Sequence, residues 1–136
     1  MTAPHRDPDT VEACARALAE LKDTCPSLVF ASLVTDDGFE IVSSPSSHDD
    51  GRLASMSSSV QALADAVARE MAVGVSEYMI IAAESGHIIQ RRVPGHQIVL
   101  AALFDHHETL GKALSVSRVT AERLRTLPGT TTAPAA

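Results

Sequence analysis

Tryptophan is absent from the sequence, and aromatic residues make up only 3% of it. A core built on large aromatic side chains is therefore excluded, so the core must be aliphatic. Apolar residues nevertheless make up 45% of the chain, which excludes disorder for its body. The 136 residues suffice for one domain with a real core and are too few for two ordinary domains.

Basic residues are also in the minority, with 11 Lys and Arg against 17 Asp and Glu and a net charge of −6. Nucleic acid or an anionic membrane surface would require a basic face, so this balance argues against both. No apolar run reaches the ~18 residues of a membrane-spanning helix. The opening MTAPHRDPDT lacks an apolar signal region, and we therefore expect a cytoplasmic protein.

Cysteine is scarce, with Cys14 and Cys25 in what looks like one helical pattern. A helix rises ~1.5 Å per residue, which would place the two about 16 Å apart and exclude a disulfide between them. We expect two free thiols that fill small apolar positions, as is typical of a reducing compartment.

Motifs of nucleotide-binding and nucleophilic enzymes do not occur. The patterns G-x-G-x-x-G, G-x-x-x-x-G-K-[ST] and G-x-S-x-G are absent, so the sequence predicts no dinucleotide loop, phosphate loop or nucleophile elbow, and no cofactor. The serine-rich SMSSSV has no neighbouring base, which favours a packing role. Arg91 and Arg92 are adjacent on a predicted strand, point to opposite faces and cannot form a joint anion clamp.

Residues 105–108, DHHE, are the strongest candidate for chemistry. Metal ligands on a helix come from one face, whereas adjacent His106 and His107 would point ~100° apart. Asp105 and Glu108 have the spacing of a capping box that follows an apolar strand. We interpret Asp105 as the helix N-cap and Glu108 as a first-turn acid, and expect no catalytic or metal-binding residue.

Hydrophobic periodicity predicts eight elements in the order α-β-β-α-β-β-β-α. The predicted helices cover residues 9–23, 51–72 and 110–124, and the predicted strands cover 27–34, 39–43, 76–83, 87–93 and 97–104. Short turns make successive strands antiparallel, and strands that are apolar on both faces require helices on both sides. The fold class is therefore α/β, a three-layer α/β/α sandwich with a five-stranded antiparallel sheet, at residues 9–126 between flexible tails at 1–8 and 127–136.

Three glycines mark predicted turns: Gly38, Gly86 and Gly95. We expect Gly86 to occupy a position that needs the backbone freedom of glycine.

The helix at 51–72 is predicted to bury one apolar stripe, formed by Leu53, Met56, Val60, Leu63, Val67 and Met71. Its far side carries smaller residues such as Ala54 and Ala62, which permit close approach of another helix. The strand at 76–83, SEYMIIAA, is apolar and lacks Pro, Lys and Arg. At a sheet edge such a strand would aggregate unless something pairs with it, and a two-fold dimer with a continuous sheet is the natural solution.

The chain resembles the Roadblock family of dynein light chains and bacterial regulators of Ras-like GTPases. The resemblance covers about residues 10–125 and rests on element order together with several short motifs. These are DDGFEIV, LASMSSSV, the glycine before EYMIIAA, SGHIIQRRV and LFDHHETLGKAL. The third helix departs from the family pattern, since it reads LGKALSVSRVTAERL where members often continue with further leucines and an arginine.

The resemblance implies a non-enzymatic homodimer in which third strands pair and second helices pack together. It further implies binding to a small Ras-like GTPase, whose nucleotide state or location the protein would modulate. A dimeric adaptor for a sensor, motor or filament protein is an alternative, and a metal-dependent hydrolase using the histidine-rich run is a remote one. The match indicates an interface of Tyr78, Met79, Ile80, Ile81, Ala82, Ser57, Gln61, Ala64 and Ala68.

Overall fold

The computed structural model describes residues 3–46 and 51–127 of the protein. Its helices are α1 (Pro8–Thr24), α2 (Arg52–Glu70) and α3 (Leu110–Arg123), with short 3-10 helices at Pro4–Arg6 and Leu124–Thr126. Its strands are β1 (Leu28–Thr35), β2 (Glu40–Ser44), β3 (Met79–Ala83), β4 (Gly86–Arg92) and β5 (Ile98–Asp105). The predicted element order is confirmed.

The five strands form one antiparallel sheet in the order β2-β1-β5-β4-β3. The helices α1 and α3 pack on one face of the sheet and α2 packs on the other. The predicted three-layer α/β/α sandwich is thereby confirmed, and β2 and β3 are the two edges.

The apolar core is unevenly divided between the two faces. Beneath α1 and α3, a single large cluster of buried side chains includes Leu18, Leu33, Leu100 and Phe104. Beneath α2, the buried apolar cluster comprises only Val34, Ala54 and Val99. Burial of apolar surface is the main favourable term in folding, so the α1/α3 side supplies most of the stability.

Both predicted tails contain folded residues in their described parts. Pro4–Arg6 form a 3-10 helix, and the His5 ring stacks on Phe39 with 4.4 Å between ring centroids. Helix α1 begins at Pro8, because the Asp7 carboxylate caps it by accepting from the Thr10 amide. At the other end, Leu127 is buried in the main core. Residues 1–2 and 128–136 of the predicted tails lie outside the described residues.

The turn glycines serve different purposes. Gly38 and Gly95 have φ values of +97° and +79°, a region that L side chains rarely adopt. Gly86 was expected to be a turn residue of the same kind, but it begins β4 and has no positive φ. A Cβ atom there would collide with the carbonyl oxygen of Phe104 on β5. Gly86 is therefore required by the close approach of two strands, which local sequence cannot reveal.

Both cysteines are free and buried, Cys14 within α1 and Cys25 as the residue that caps its C-terminus. Burial raises the pKa of the Cys14 thiol to about 12. Because the thiolate is the reactive form, we expect both thiols to resist alkylation by iodoacetamide at pH 8 in the native protein. In urea both should react at least ~100-fold faster. Mass spectrometry of quenched samples measures this, and fast native labelling of either residue would contradict the burial.

Candidate functional site

Most of the large apolar side chains of α2 are exposed to solvent rather than buried against the sheet. Leu63 is 65% exposed, and Met56 and Val67 are each more than half exposed. The prediction that this stripe faces the sheet is therefore wrong, because Ala54 and Gln61 occupy the buried side instead. A patch of this kind on a surface helix typically marks an interaction site.

Helix α2 is held to the sheet by a polar network. The Gln90 side-chain amide on β4 donates to the Ser57 carbonyl at 3.0 Å and to Gln61 Oε1 at 3.3 Å. Gln61 Nε2 in turn donates to Asp65 Oδ1 at 3.1 Å. Asp65 Oδ2 lies 3.1 Å from Arg92 Nη2 on β4. These bonds satisfy polar groups that would otherwise be costly to bury.

The network removes one residue from the predicted interface. Gln61 is only 4% exposed, and its side chain is engaged with Gln90 and Asp65 inside the protomer. It therefore cannot form a contact with a second copy. Ser57, Ala64 and Ala68 are half-buried on α2 and border the outward apolar side.

Strand β3 is an open edge of the sheet. Within the described part of the chain it pairs with β4 alone, from Met79↔Gln90 to Ala83↔Gly86. Ile80 is half-buried and pairs with Ile89 of the main core, so it lies on the α3 side. Ile81 is 43% exposed and pairs with Ile88 on the α2 side. One face of this edge strand is therefore continuous with the exposed side of α2.

A groove of about 280 Å³ connects β3 with α2. Ile81 and Ile88 contribute the sheet side of it and Met56 and Val60 the helix side, with Phe30 and Leu103 on the floor. Beyond the C-terminus of α2, further apolar side chains at Met71, Val73 and Val75 are exposed. We define the outward face as β3 together with the exposed apolar side chains of Leu53, Met56, Leu63, Val67 and Met71.

The residues predicted from the sequence include the strand part of the outward face but not the exposed large side chains of α2. Tyr78, just before β3, and Ala82, within it, are both exposed. The larger residues of α2 were visible as a stripe, but periodicity alone does not tell which neighbour will bury it.

The run at 105–108 is a strand end and a turn, and the capping box predicted for it is not formed. Asp105 is the last residue of β5, and its Oδ1 accepts from the His107 amide at 2.9 Å. Thr109 is the N-cap of α3, since its hydroxyl accepts from the Lys112 amide at 3.2 Å. The predicted divergence of His106 and His107 is also wrong, because their ring centroids lie 4.0 Å apart.

Glu108 links two distant segments instead of capping a helix as predicted. Its Oε1 accepts from Cys25 Sγ at 2.8 Å and from Ser27 Oγ at 2.6 Å, and its Oε2 accepts from the Thr109 amide. These bonds fasten the α1–β1 connection to the start of α3. Hydrogen bonds from Cys25 and then Ser27 hold the pKa of Glu108 below its ordinary value, against an opposing effect of burial. Burial raises the pKa of Cys25, and the bond to Glu108 raises it further.

The lowered pKa of Glu108 predicts a pH dependence of stability. A carboxylate whose pKa is lowered by folding contributes stability above its unfolded pKa of ~4.3 and loses it as the pH falls through the folded value. Acid destabilises the wild type in part by protonating Glu108, and we expect Glu108→Gln to remove that part of the loss in the free energy of unfolding. Urea unfolding followed by circular dichroism between about pH 3 and 7 measures this. The control is Glu84→Gln, at an exposed carboxylate between β3 and β4; the same change in both variants would contradict the role of Glu108.

Arg91 and Arg92 lie on opposite faces of the sheet. Arg92 is on the α2 side and bridges Asp36, at 3.2 Å, and Asp65. Arg91 is on the α3 side, with its guanidinium 5.4 Å from the centroid of the Tyr78 ring.

In residues 3–46 and 51–127, no group of three or more His, Cys, Asp or Glu is arranged to hold a metal ion. None of the helices in that part of the chain combines the length and apolarity needed to cross a membrane.

Comparison with known proteins shows the fold. No protein-family model matches the sequence, and no curated protein is significantly similar to it. A structure of MglB with tetrameric arrangement has a TM-score of 0.73 at 21% identity, over 92% of this chain and 90% of that chain. MglB from Myxococcus xanthus has a TM-score of 0.74 at 16% identity, over 85% and 86% of the two chains.

A Roadblock/LC7 domain from Streptomyces avermitilis is similar as well, with a TM-score of 0.71 at 15% identity over 79% of this chain and 90% of that chain. The chain therefore has the Roadblock fold that its sequence predicts.

Proposed function

We propose that the protein is a non-enzymatic homodimer that binds a small Ras-like GTPase and regulates its nucleotide state or location. The single observation that carries the proposal is the outward face, where the apolar side of α2 adjoins the open edge of β3. The Roadblock fold supports the same proposal.

The chemistry of the outward face supports a homodimer. An unpaired edge strand presents free N–H and C=O groups, and antiparallel pairing of β3 with a second β3 would satisfy them around a two-fold axis. Helix α2 of each protomer would then lie beside its counterpart. Leu63 and Val67, with the smaller Ala64 and Ala68, would lose their contact with water.

The interface that we propose is that predicted from the sequence, without Gln61 and with the exposed α2 residues added. It comprises Tyr78, Met79, Ile80, Ile81, Ala82, Ser57, Ala64, Ala68, Leu53, Met56, Leu63, Val67 and Met71. Large aliphatic anchors in the centre of a two-fold contact are typical of permanent homodimers.

Binding to a GTPase rests on the resemblance to the Roadblock family. The sequence carries no loop that would hold a nucleotide itself, so the nucleotide would stay with the partner. The protein would act by its affinity for one state of that partner, because a ligand shifts an equilibrium only by its differential affinity for the two states.

Isothermal titration calorimetry against a purified Ras-like GTPase from the same organism, loaded in turn with GDP and a non-hydrolysable GTP analogue, tests the function. We expect at least ~10-fold tighter binding to one nucleotide state. Equal affinity for both states would contradict regulation of the nucleotide state. Absence of binding in both states would overturn GTPase binding and favour the dimeric adaptor.

A further inference from the structure

A cluster of arginines lies on the α3 side of the sheet, away from the outward face. It consists of Arg91 on β4 and of Arg118 on α3, with Arg125 just beyond the end of that helix. Glu122 is the carboxylate among them. Positions 118, 122 and 125 follow helical spacing, so these three side chains lie on one side of α3.

Arg91 is held in place by neutral groups. Its guanidinium lies 5.4 Å from the Tyr78 ring centroid, in the range of a cation–π contact. Its Nη1 donates to the Leu114 carbonyl on α3 at 3.5 Å. Burial and then the positive charge of Arg118 lower the pKa of Arg91. Leu114 and Arg118 are four residues apart on α3, so the contact with Leu114 places Arg91 on the side of the helix that carries Arg118.

Glu122 does not neutralise the cluster. It accepts two hydrogen bonds from Arg125, at 2.9 and 3.1 Å. The bond from Arg125 lowers the pKa of Glu122 most, and the charges of Arg118 and Arg91 lower it further. Glu77 is a second carboxylate near Arg91, but the two form no ion pair.

Two other arginines on this side of the sheet form ion pairs, unlike Arg91 and Arg118. Arg123 is ion-paired with Glu20 on α1, and Arg16 with Glu12. Among the ion pairs of residues 3–46 and 51–127, none includes Arg91 or Arg118. Arg91 and Arg118 therefore place two positive charges without an ion pair on one side of a chain whose net charge is −6.

We propose that Arg91, Arg118 and Arg125 form a docking site for an acidic segment of a partner protein. Carboxylates spaced along such a segment would reduce the repulsion between Arg91 and Arg118. They would also give these two arginines the ion pairs that Glu122, which is bonded to Arg125, does not provide. The site lies on the opposite side of the sheet from α2, and it borders the proposed dimer contact at Tyr78. It does not depend on the GTPase being the partner.

The probe is a fluorescein-labelled peptide of eight glutamates, titrated with the full chain in about 50 mM salt and followed by fluorescence anisotropy. The protein as a whole repels this peptide, so binding requires a local positive site. We expect saturable binding that Arg91→Ala/Arg118→Ala weakens about tenfold, since each exposed pair contributes modestly. Raising the salt to about 300 mM should also weaken it.

The matched control is Arg52→Ala/Arg69→Ala on α2, which removes the same charge on the other side of the sheet. Equal weakening by both double variants, or no binding by the wild type, would overturn the proposal. Displacement of the peptide by about 10 mM inorganic phosphate would overturn it too, because the site would then bind small anions. If Arg91→Ala impairs folding, Arg118→Ala alone, at an exposed position, should weaken binding about threefold.

Discussion

Ile81→Glu should leave the protein monomeric at ~10 µM, a concentration at which we expect the wild type to be dimeric. Ile81 lies on the α2 side of the open edge strand, at the centre of the outward face. In a β3–β3 dimer, two glutamates would be buried near the two-fold axis without positive partners. Burial of an unpaired charge is costly, and we expect the dimer dissociation constant to rise at least ~100-fold.

Sedimentation velocity over a range of concentrations measures this change. Val119→Glu is the matched control, because Val119 is 46% exposed on α3 and belongs to the other side of the sheet. It should leave the dimer intact. A wild-type protein that is monomeric at ~100 µM would refute the dimer, and an Ile81→Glu variant that still dimerises would place the interface elsewhere.

The second large effect is expected at Gly86→Ala. A methyl group there would collide with the Phe104 carbonyl oxygen and would also press on the Leu103 side chain. Since β4 and β5 each have a neighbour on both sides in the sheet, neither strand can move away from the other without breaking backbone hydrogen bonds between strands. We expect a loss of about 2–3 kcal/mol in the free energy of unfolding.

Urea unfolding measures this loss, with an expected fall of about 1–2 M in the midpoint. Gly111→Ala is the control, since Gly111 lies in the first turn of α3 and a Cβ atom there would meet nothing within 4 Å. Alanine is the better helix former, so this variant should be neutral or slightly more stable. Equal midpoints for the two variants would mean that β4 and β5 do not approach as closely as described.

The fold could be predicted from sequence because its elements are short and clearly separated. The apolar runs at β1 and β5 and the hairpin around Gly38 indicate strands, and the turns between them impose antiparallel pairing. The strand order was not accessible in this way, because the pairing of β1 with β5 joins segments about seventy residues apart.

The orientation of α2 could not be predicted for a different reason. A stripe such as Leu63 and Val67 indicates that a helix face will be buried, and the sheet is the expected neighbour. Here Gln61 lies against the sheet, because Gln90 of β4 offers it a hydrogen-bonding partner. That partner is almost thirty residues away in sequence, so no local pattern could reveal it.

The N-cap of α3 was wrongly assigned to Asp105 because several residues in a row can cap a helix. Asp105 and Thr109 are both suitable N-cap residues, and local rules favoured the capping box. The bonds from Cys25 and Ser27 to Glu108 hold this residue in the turn, and the helix begins only after it. A tertiary contact thus decided a choice that local preference left open.

The uneven core implies that the protomer does not open as a single unit. Helix α2 is attached by a few hydrogen bonds and a small apolar cluster, whereas α1 and α3 share the main core with the central strands. Partial unfolding should therefore detach α2 while β1 and β5 stay paired. The amide hydrogens of α2 should then exchange with solvent at a lower free-energy cost than those of β1 and β5. A second copy on the outward face would suppress this opening, so the local motion of one helix would report the assembly state of the whole protein.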